Sequence, residues 1–169
     1  VMANPPFSLD GWGAEDVIKD RFNRFGRGIP PKSKGDLAFI QHMVETLNGQ
    51  GKAGVVVPHG VLFRGGKEGQ IRESLVRDDL LEAVIGLPTN LFHGTGIPAA
   101  LLIFNKQKKH DPARARKVLL IDANLEYDDG RNRNFLSAGG IARVVQAYKR
   151  FEDEEKFAQL VSFEALEQN

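Results

Sequence analysis

The chain has 169 residues, 41% of them hydrophobic and 27% charged, ordinary values for a globular protein long enough to bury one core. A formal net charge of +1 carries no nucleic-acid signature by itself, so any basic surface must be local. No apolar run reaches bilayer length and no basic-then-apolar leader opens the chain; with no cysteine there is neither a disulfide framework nor a thiolate metal site, which points to a reducing cytoplasm.

The opening Val1-Met2-Ala3 reads as the tail of a β-strand, and the chain is expected to be a fragment. Asp10 to Gly35 is rich in Gly, Pro, Arg, Lys and Asp and is expected as a long loop, with a short helix over Ala14 to Phe22. It has few apolar residues to anchor it, so high mobility is expected. Leu37, Ile40, Met43, Val44 and Leu47 follow helical spacing, with Asp36 as N-cap and Asn48-Gly49 as the stop. Ala53 to Val57, ended by Pro58, is a buried strand, and Lys67 to Arg77 a helix with Ile71, Leu75 and Val76 turned inward. Further strands are expected at Leu81 to Leu87, Ala99 to Phe104 and Lys117 to Ile121. A helix follows at Ile141 to Phe151, then a charged stretch and a weakly structured tail.

This order predicts an α/β protein with a mostly parallel sheet. The link from Pro88 to Pro98 has no helical pattern, so its two flanking strands should form an antiparallel hairpin closing the sheet. Residues 1–128 form the sheet domain, with 10–35 as a functional loop, and 129–169 a helical extension.

The tetrapeptide Asn4-Pro5-Pro6-Phe7 directly follows a strand, where open α/β sheets place their ligands. Its residue types suit chemistry on an aromatic amine. The lone pair of such an amine is conjugated with its ring, and two acceptors set against its N–H groups favour the pyramidal form that frees it. Asn4 offers a side-chain oxygen and Pro5 a backbone carbonyl. The prolines fix φ and contribute no competing N–H, and Phe7 can stack on a base that has left its duplex. The bland alternative is a proline pair that merely ends a strand. For the basic residues of the loop, Lys19, Arg21, Arg24, Arg27, Lys32 and Lys34, contact with DNA phosphates and plain solvation both remain open. Arg64, before a helix, offers a phosphate contact or a solvated turn. Trp12 and Phe22 offer base stacking or core capping. The loop Asn90 to Gly96 either closes over the pocket or simply links two strands. The four histidines show no metal-ligand spacing. Gly49 to Gly54 fits G-x-G-x-x-G but runs from helix to strand, the reverse of a nucleotide-binding turn.

Asn4-Pro5-Pro6-Phe7 resembles the amino-methyltransferase motif. Three longer segments resemble the modification subunit of type I restriction-modification systems: Pro30 to Leu47, Gly51 to Gly66 and Leu81 to Lys106. The resemblance implies a class I methyltransferase fold and adenine-N6 methylation of DNA from S-adenosylmethionine. It also implies a specificity subunit that reads the target and a restriction subunit that can join them. By it, Asn4, Pro5, Pro6 and Phe7 are the catalytic residues of the target-base pocket. The cofactor's main site is expected upstream of Val1, so the fragment is expected to be inert alone. Its uncovered sheet edge is expected to drive self-association through Val1 to Pro6, or else to leave that segment disordered and Ala53 to Val57 exposed. Asn-Pro-Pro followed by an aromatic also occurs in methyltransferases of RNA guanine and of protein glutamine, and a non-catalytic partner-binding module is the rival outside the enzymes.

Overall fold

A computed structural model describes residues 1–93 and 95–167. In chain order its elements are β1 (Met2–Ala3), α1 (Asp36–Thr46), β2 (Lys52–Pro58), the single turn α2 (Gly60–Phe63), α3 (Lys67–Arg77), β3 (Leu81–Gly86), β4 (Ala99–Asn105), β5 (Lys117–Asp122), the small hairpin β6 (Tyr127–Asp128) and β7 (Phe135–Leu136), α4 (Ala138–Arg150), β8 (Ala158–Ser162) and α5 (Phe163–Glu167). The helix expected in the first loop is a 3-10 segment, Ala14–Lys19.

Six strands form one sheet in the order β1-β2-β4-β3-β5-β8. β1 is parallel to β2 and β3 to β5, while β4 is antiparallel to both of its neighbours and β8 to β5. Four strands therefore share one direction, and β3 and β4 form the expected antiparallel hairpin. That hairpin does not lie at the sheet edge. β4 inserts between β2 and β3, and β5 and β8 extend the sheet beyond it. The segment 129–169, read from sequence as a helical extension, supplies α4 but also the edge strand β8. The sequence pattern missed β8 because Ala158–Ser162 carries a charged stretch before it and no continuous apolar run.

Side-chain alternation along the strands builds two cores, one on each face of the sheet. Val55, Val57, Leu102 and Phe104 pack on one face against Leu37, Ile40 and Val44 of α1 and Ile71 and Leu75 of α3. On the other face Ile85, Leu119 and Ile121 pack against Ala147 and Phe151 of α4. α4 leaves part of this second face open. A groove of about 760 Å³ runs from β1 to α4, floored by Gly54, Val56, Leu101 and Ile103 and walled by Met2 and Val145. Met2 is 93% exposed and Val145 43%.

The loop 10–35 is anchored, contrary to expectation. The indole N–H of Trp12 donates to the Pro31 carbonyl at 2.9 Å, and the Gly11 N–H donates to the Lys32 carbonyl at 3.0 Å. The Trp12 and Phe25 rings lie 5.5 Å apart, and Pro30 is buried. The loop closes on itself through aromatic contacts and backbone bonds between its two ends, which apolar periodicity does not reveal.

At the amino-terminal ends of β2 and β3, a polar cluster ties α4 to the sheet. Glu82 is fully buried beside a register shift in β3. Its carboxylate accepts from the Tyr148 hydroxyl at 2.5 Å, Asn105 Nδ2 at 2.9 Å, Arg114 at 3.1 Å and Lys52 at 3.4 Å. Burial alone raises a carboxyl pKa, but these hydrogen bonds and cations outweigh it and hold Glu82 below its ordinary value. Burial, followed by the hydrogen bond to Glu82 and then its charge, raises the Tyr148 hydroxyl above its ordinary value.

Candidate functional site

The parallel pairing of Met2 with Gly54 and Ala3 with Val55 brings β1 to the same carboxyl edge as β2 and β3. Asn4 leaves the sheet there, and the prolines after it cannot continue the ladder. Asn4, Pro5, Pro6 and Phe7 line one side of a cleft of about 510 Å³. The opposite side comes from the β3–β4 link: Phe92, His93, Thr95 and Ile97. Phe7 and Phe92 meet edge to face, with centroids 5.9 Å apart and planes at 74°. This geometry suits the ring quadrupoles and holds Phe7 without covering both of its faces. The structure thus brings all four motif residues together at one cleft. Gly94, part of the loop expected to cover the pocket, lies outside the described residues.

The far wall is supported by His59, which follows β2. Its backbone N–H donates to the Pro98 carbonyl at 3.0 Å, and its ring Nε2 lies 2.9 Å from the Ala99 carbonyl, which accepts its proton. Phe92, His93 and Thr95 belong to the loop Asn90 to Gly96 considered from sequence as a cover for the pocket, while Ile97 lies just beyond it. The available signal was that Phe92 is the one aromatic residue in the link between the two prolines, Pro88 and Pro98.

The basic residues divide into two groups. Lys19 pairs with Asp16 at 2.8 Å on the open surface, Lys32 reaches Glu15 at 3.9 Å, and Arg21 is exposed. Arg24 is held by Asp20 at 2.7 Å, with its guanidinium 5.6 Å from the Phe22 ring centroid, and Lys34 is half-buried. Arg27 and Arg64 are engaged inside the protein. Arg27 bridges Glu45 of α1 at 2.5 Å and Asp78 after α3 at 2.7 Å. Arg64 bridges Asp36 at 2.7 Å and Glu68 at 2.9 Å. Burial lowers the pKa of each guanidinium, but the flanking carboxylates outweigh it and the net shift is upward. An arginine spanning two carboxylates is poorly placed to leave them for a phosphate, so the phosphate role considered for these two does not fit their surroundings. The acids responsible are distant in sequence for Arg27, and composition of the loop alone does not expose them.

Asp36 also departs from its expected role. It is the first residue of α1, preceded by Gly35, and no side chain caps that helix. Its carboxylate turns instead to Ser8, whose backbone N–H donates to Oδ1 at 2.7 Å.

The glycine pattern Gly49 to Gly54 connects α1 to β2, so its glycines lie in a helix-to-strand turn and in the strand itself. The residues present do not make a strand-to-helix cradle for the methyl donor from that pattern. Among the described residues, no group of three His, Cys, Asp or Glu is arranged to hold a metal ion, and no helix is long and apolar enough to cross a membrane.

The family described as N-6 DNA methylase matches residues 1–169. The chain is 39% identical to the type I restriction enzyme MjaVII methylase subunit of Methanocaldococcus jannaschii, over 100% of this chain and 30% of that protein. It is 34% identical to the MpnII methylase subunit of Mycoplasma pneumoniae, over 100% of this chain and 31% of that protein. Among solved structures, the type I restriction-modification methyltransferase subunit from Streptococcus thermophilus superposes with a TM-score of 0.88 at 41% identity, covering 99% of this chain and 35% of that one. The chain spans about 30% of the length of the curated relatives it matches.

Proposed function

Because this chain belongs to the N-6 DNA methylase family, we propose that it is the target-base half of an adenine-N6 DNA methyltransferase, the modification subunit of a type I restriction-modification system. The observation that carries the reading is the cleft in which Asn4 to Phe7 face Phe92 at the carboxyl edge of the sheet. The cleft is large enough for a flat base placed against Phe7, with its amine turned towards Asn4 and Pro5.

The chain's own residues supply positioning and polarisation. Phe7 stacks on the extruded adenine, with its ring steadied by Phe92. The Asn4 side-chain oxygen and the Pro5 carbonyl accept the two N–H bonds of the exocyclic amine and draw it towards pyramidal geometry. The lone pair is then freed to take the methyl group that a bound sulfonium donor would supply, the sulfur leaving as a neutral thioether and one amine proton passing to solvent, and alignment would carry most of the rate. These acceptors are most useful where positive charge develops on nitrogen, so they act on the transition state more than on binding. S-adenosylmethionine is the methyl donor the family implies. The glycines present here do not form its cradle.

DNA and the specificity and restriction subunits are the proposed partners, in the cytoplasm. Lys19, Arg21, Arg24, Lys32 and Lys34 are the proposed phosphate contacts, and Arg27 and Arg64, each spanning two carboxylates, are less available for that role. The test is a methylation assay of the full subunit with its specificity subunit on DNA, RNA and protein substrates, with products identified by mass spectrometry. N6-methyladenine in DNA is expected. Methyl transfer confined to RNA guanine or protein glutamine would overturn the reading, and transfer to none of the three would favour a non-catalytic module.

A further inference from the structure

The residue after the catalytic tetrapeptide is conformationally unusual. Ser8 has φ +49°, in the left-handed region that non-glycine residues rarely occupy. Such a residue stays there only when its surroundings over-determine it. The surroundings here are specific. The Ser8 N–H donates to Asp36 Oδ1 at 2.7 Å, and its hydroxyl lies 3.4 Å from Oδ2. Asp36 is only 1% exposed. The seam continues beyond this contact, since the Gly35 N–H donates to the Leu9 carbonyl at 3.0 Å.

A carboxylate this deeply buried needs compensation. Arg64 donates to Oδ2 at 2.7 Å and to both oxygens of Glu68 at 2.9 and 3.1 Å through its other donors. Asp36 also stands at the first turn of α1, where unpaired backbone N–H groups favour negative charge. The carboxylate is therefore held in place, and with it the acceptor that grips Ser8. Phe7 precedes that gripped turn and meets Phe92 on its other side. The turn thus fixes the backbone next to Phe7, while the ring itself meets Phe92 and packs against the core.

We propose that Asp36 is a positioning residue for methyl transfer: by holding Ser8 in its left-handed turn, it sets the orientation of the Phe7 platform and the Asn4–Pro5 acceptors. Arg64 and Glu68 act through it, by holding the carboxyl group in place. This rests on the reading of the cleft as the target-base pocket. It separates Asp36 from an ordinary helix cap, whose loss would weaken α1 and leave the cleft geometry alone.

The experiment uses the full subunit with its specificity subunit and two duplexes, one with adenine and one with 2-aminopurine at the methylated position. Turnover and KM for S-adenosylmethionine are read on the adenine duplex, base extrusion by fluorescence on the 2-aminopurine duplex, and DNA affinity and thermal stability alongside. Asp36→Ala should lower kcat by about 100-fold, the usual cost of misplacing a reacting group by about 1 Å. KM for the cofactor and DNA affinity should change less than about threefold, on the argument that cofactor contacts and most phosphate contacts lie elsewhere. The 2-aminopurine signal should change, because the extruded base loses its ordered stack. Asp36→Asn keeps an oxygen for the Ser8 N–H and should recover most of the lost turnover. Asp36→Glu keeps a carboxyl group for Arg64 but moves the acceptor by one methylene; it should still fold, with some loss of stability from overpacking, and lose at least about tenfold in kcat. It serves as the test if Asp36→Ala does not fold. Parental kcat and parental fluorescence in folded Asp36→Glu would overturn the proposal. So would a fall in stability with all kinetic and spectroscopic values unchanged. A parent complex that neither methylates adenine nor gives a 2-aminopurine signal would instead overturn the underlying reading of the cleft.

Discussion

Replacing Phe7 by alanine separates the two aromatic walls of the cleft. Phe7 is half-buried, and its one ring contact of aromatic type is the edge of Phe92 at 5.9 Å. Removing it deletes the proposed base stack, a loss of about 1–3 kcal/mol, or about 5- to 150-fold in the equilibrium for capturing the extruded base. Phe92→Ala removes only the edge contact that steadies Phe7, about 0.5–1.5 kcal/mol, or about 2- to 13-fold. The two effects should not add. Phe92 acts through Phe7, so Phe92→Ala should do little in a Phe7→Ala background, a coupling that a double-mutant cycle reads directly. Both rings are half-buried and pack against the core, so both variants should lose some thermal stability, and capture is compared between folded proteins. The assay is 2-aminopurine fluorescence at the target position, titrated with the intact subunit and its specificity subunit. If Phe92→Ala weakened capture more than Phe7→Ala, or if the two losses simply summed, the assignment of Phe7 as the stacking platform would be refuted.

Asn4→Ala in the intact subunit should lower turnover by about 100-fold or more, the scale seen when a transition-state hydrogen-bond partner is removed, with DNA affinity nearly unchanged; parental turnover in a folded variant would show that Asn4 is not a catalytic acceptor. Glu82→Ala should destabilise the protein by about 1–3 kcal/mol, because the buried donors of Asn105 and Tyr148 lose their acceptor, and urea titration would register no change in midpoint if the cluster were incidental. The direction with pH follows from the lowered folded-state pKa of Glu82. Its contribution is present above the unfolded value of about 4.3 and is lost as pH falls through the lower folded value, so Glu82→Gln should flatten that part of the acid-stability curve. The 169-residue segment by itself should self-associate with rising concentration, because the groove over Val56, Leu101 and Ile103 lies beside the edge strand β1. Light scattering that finds a strict monomer at high concentration would show that this face is adequately solvated.

Much of the architecture was legible in the sequence because it rests on local patterns. Helical spacing from Leu37 to Leu47 marked α1, continuous β-branched or aliphatic runs marked β2 to β5, and the position of Asn4-Pro5-Pro6-Phe7 after a strand marked the cleft. Each depends on residues a few positions apart, whose burial follows from periodicity alone. What tertiary structure decided were the pairings across long separations. Strand order is set by which apolar faces meet, so β4 entered between β2 and β3, and β8 joined the edge despite a weakly apolar sequence. Phe92 became a wall because its loop folds back over a motif 85 positions earlier, between residues 7 and 92. The charged residues diverged most from expectation. A carboxylate or guanidinium shows its character in sequence, but its partner is chosen by the fold. Asp36 therefore holds Ser8 rather than capping its own helix, while Arg27 and Arg64 hold carboxylates and Lys19 and Arg21 stay at the surface. A buried charge must find compensation wherever the packed chain supplies it, and that location is a property of the assembled structure, not of its sequence neighbourhood.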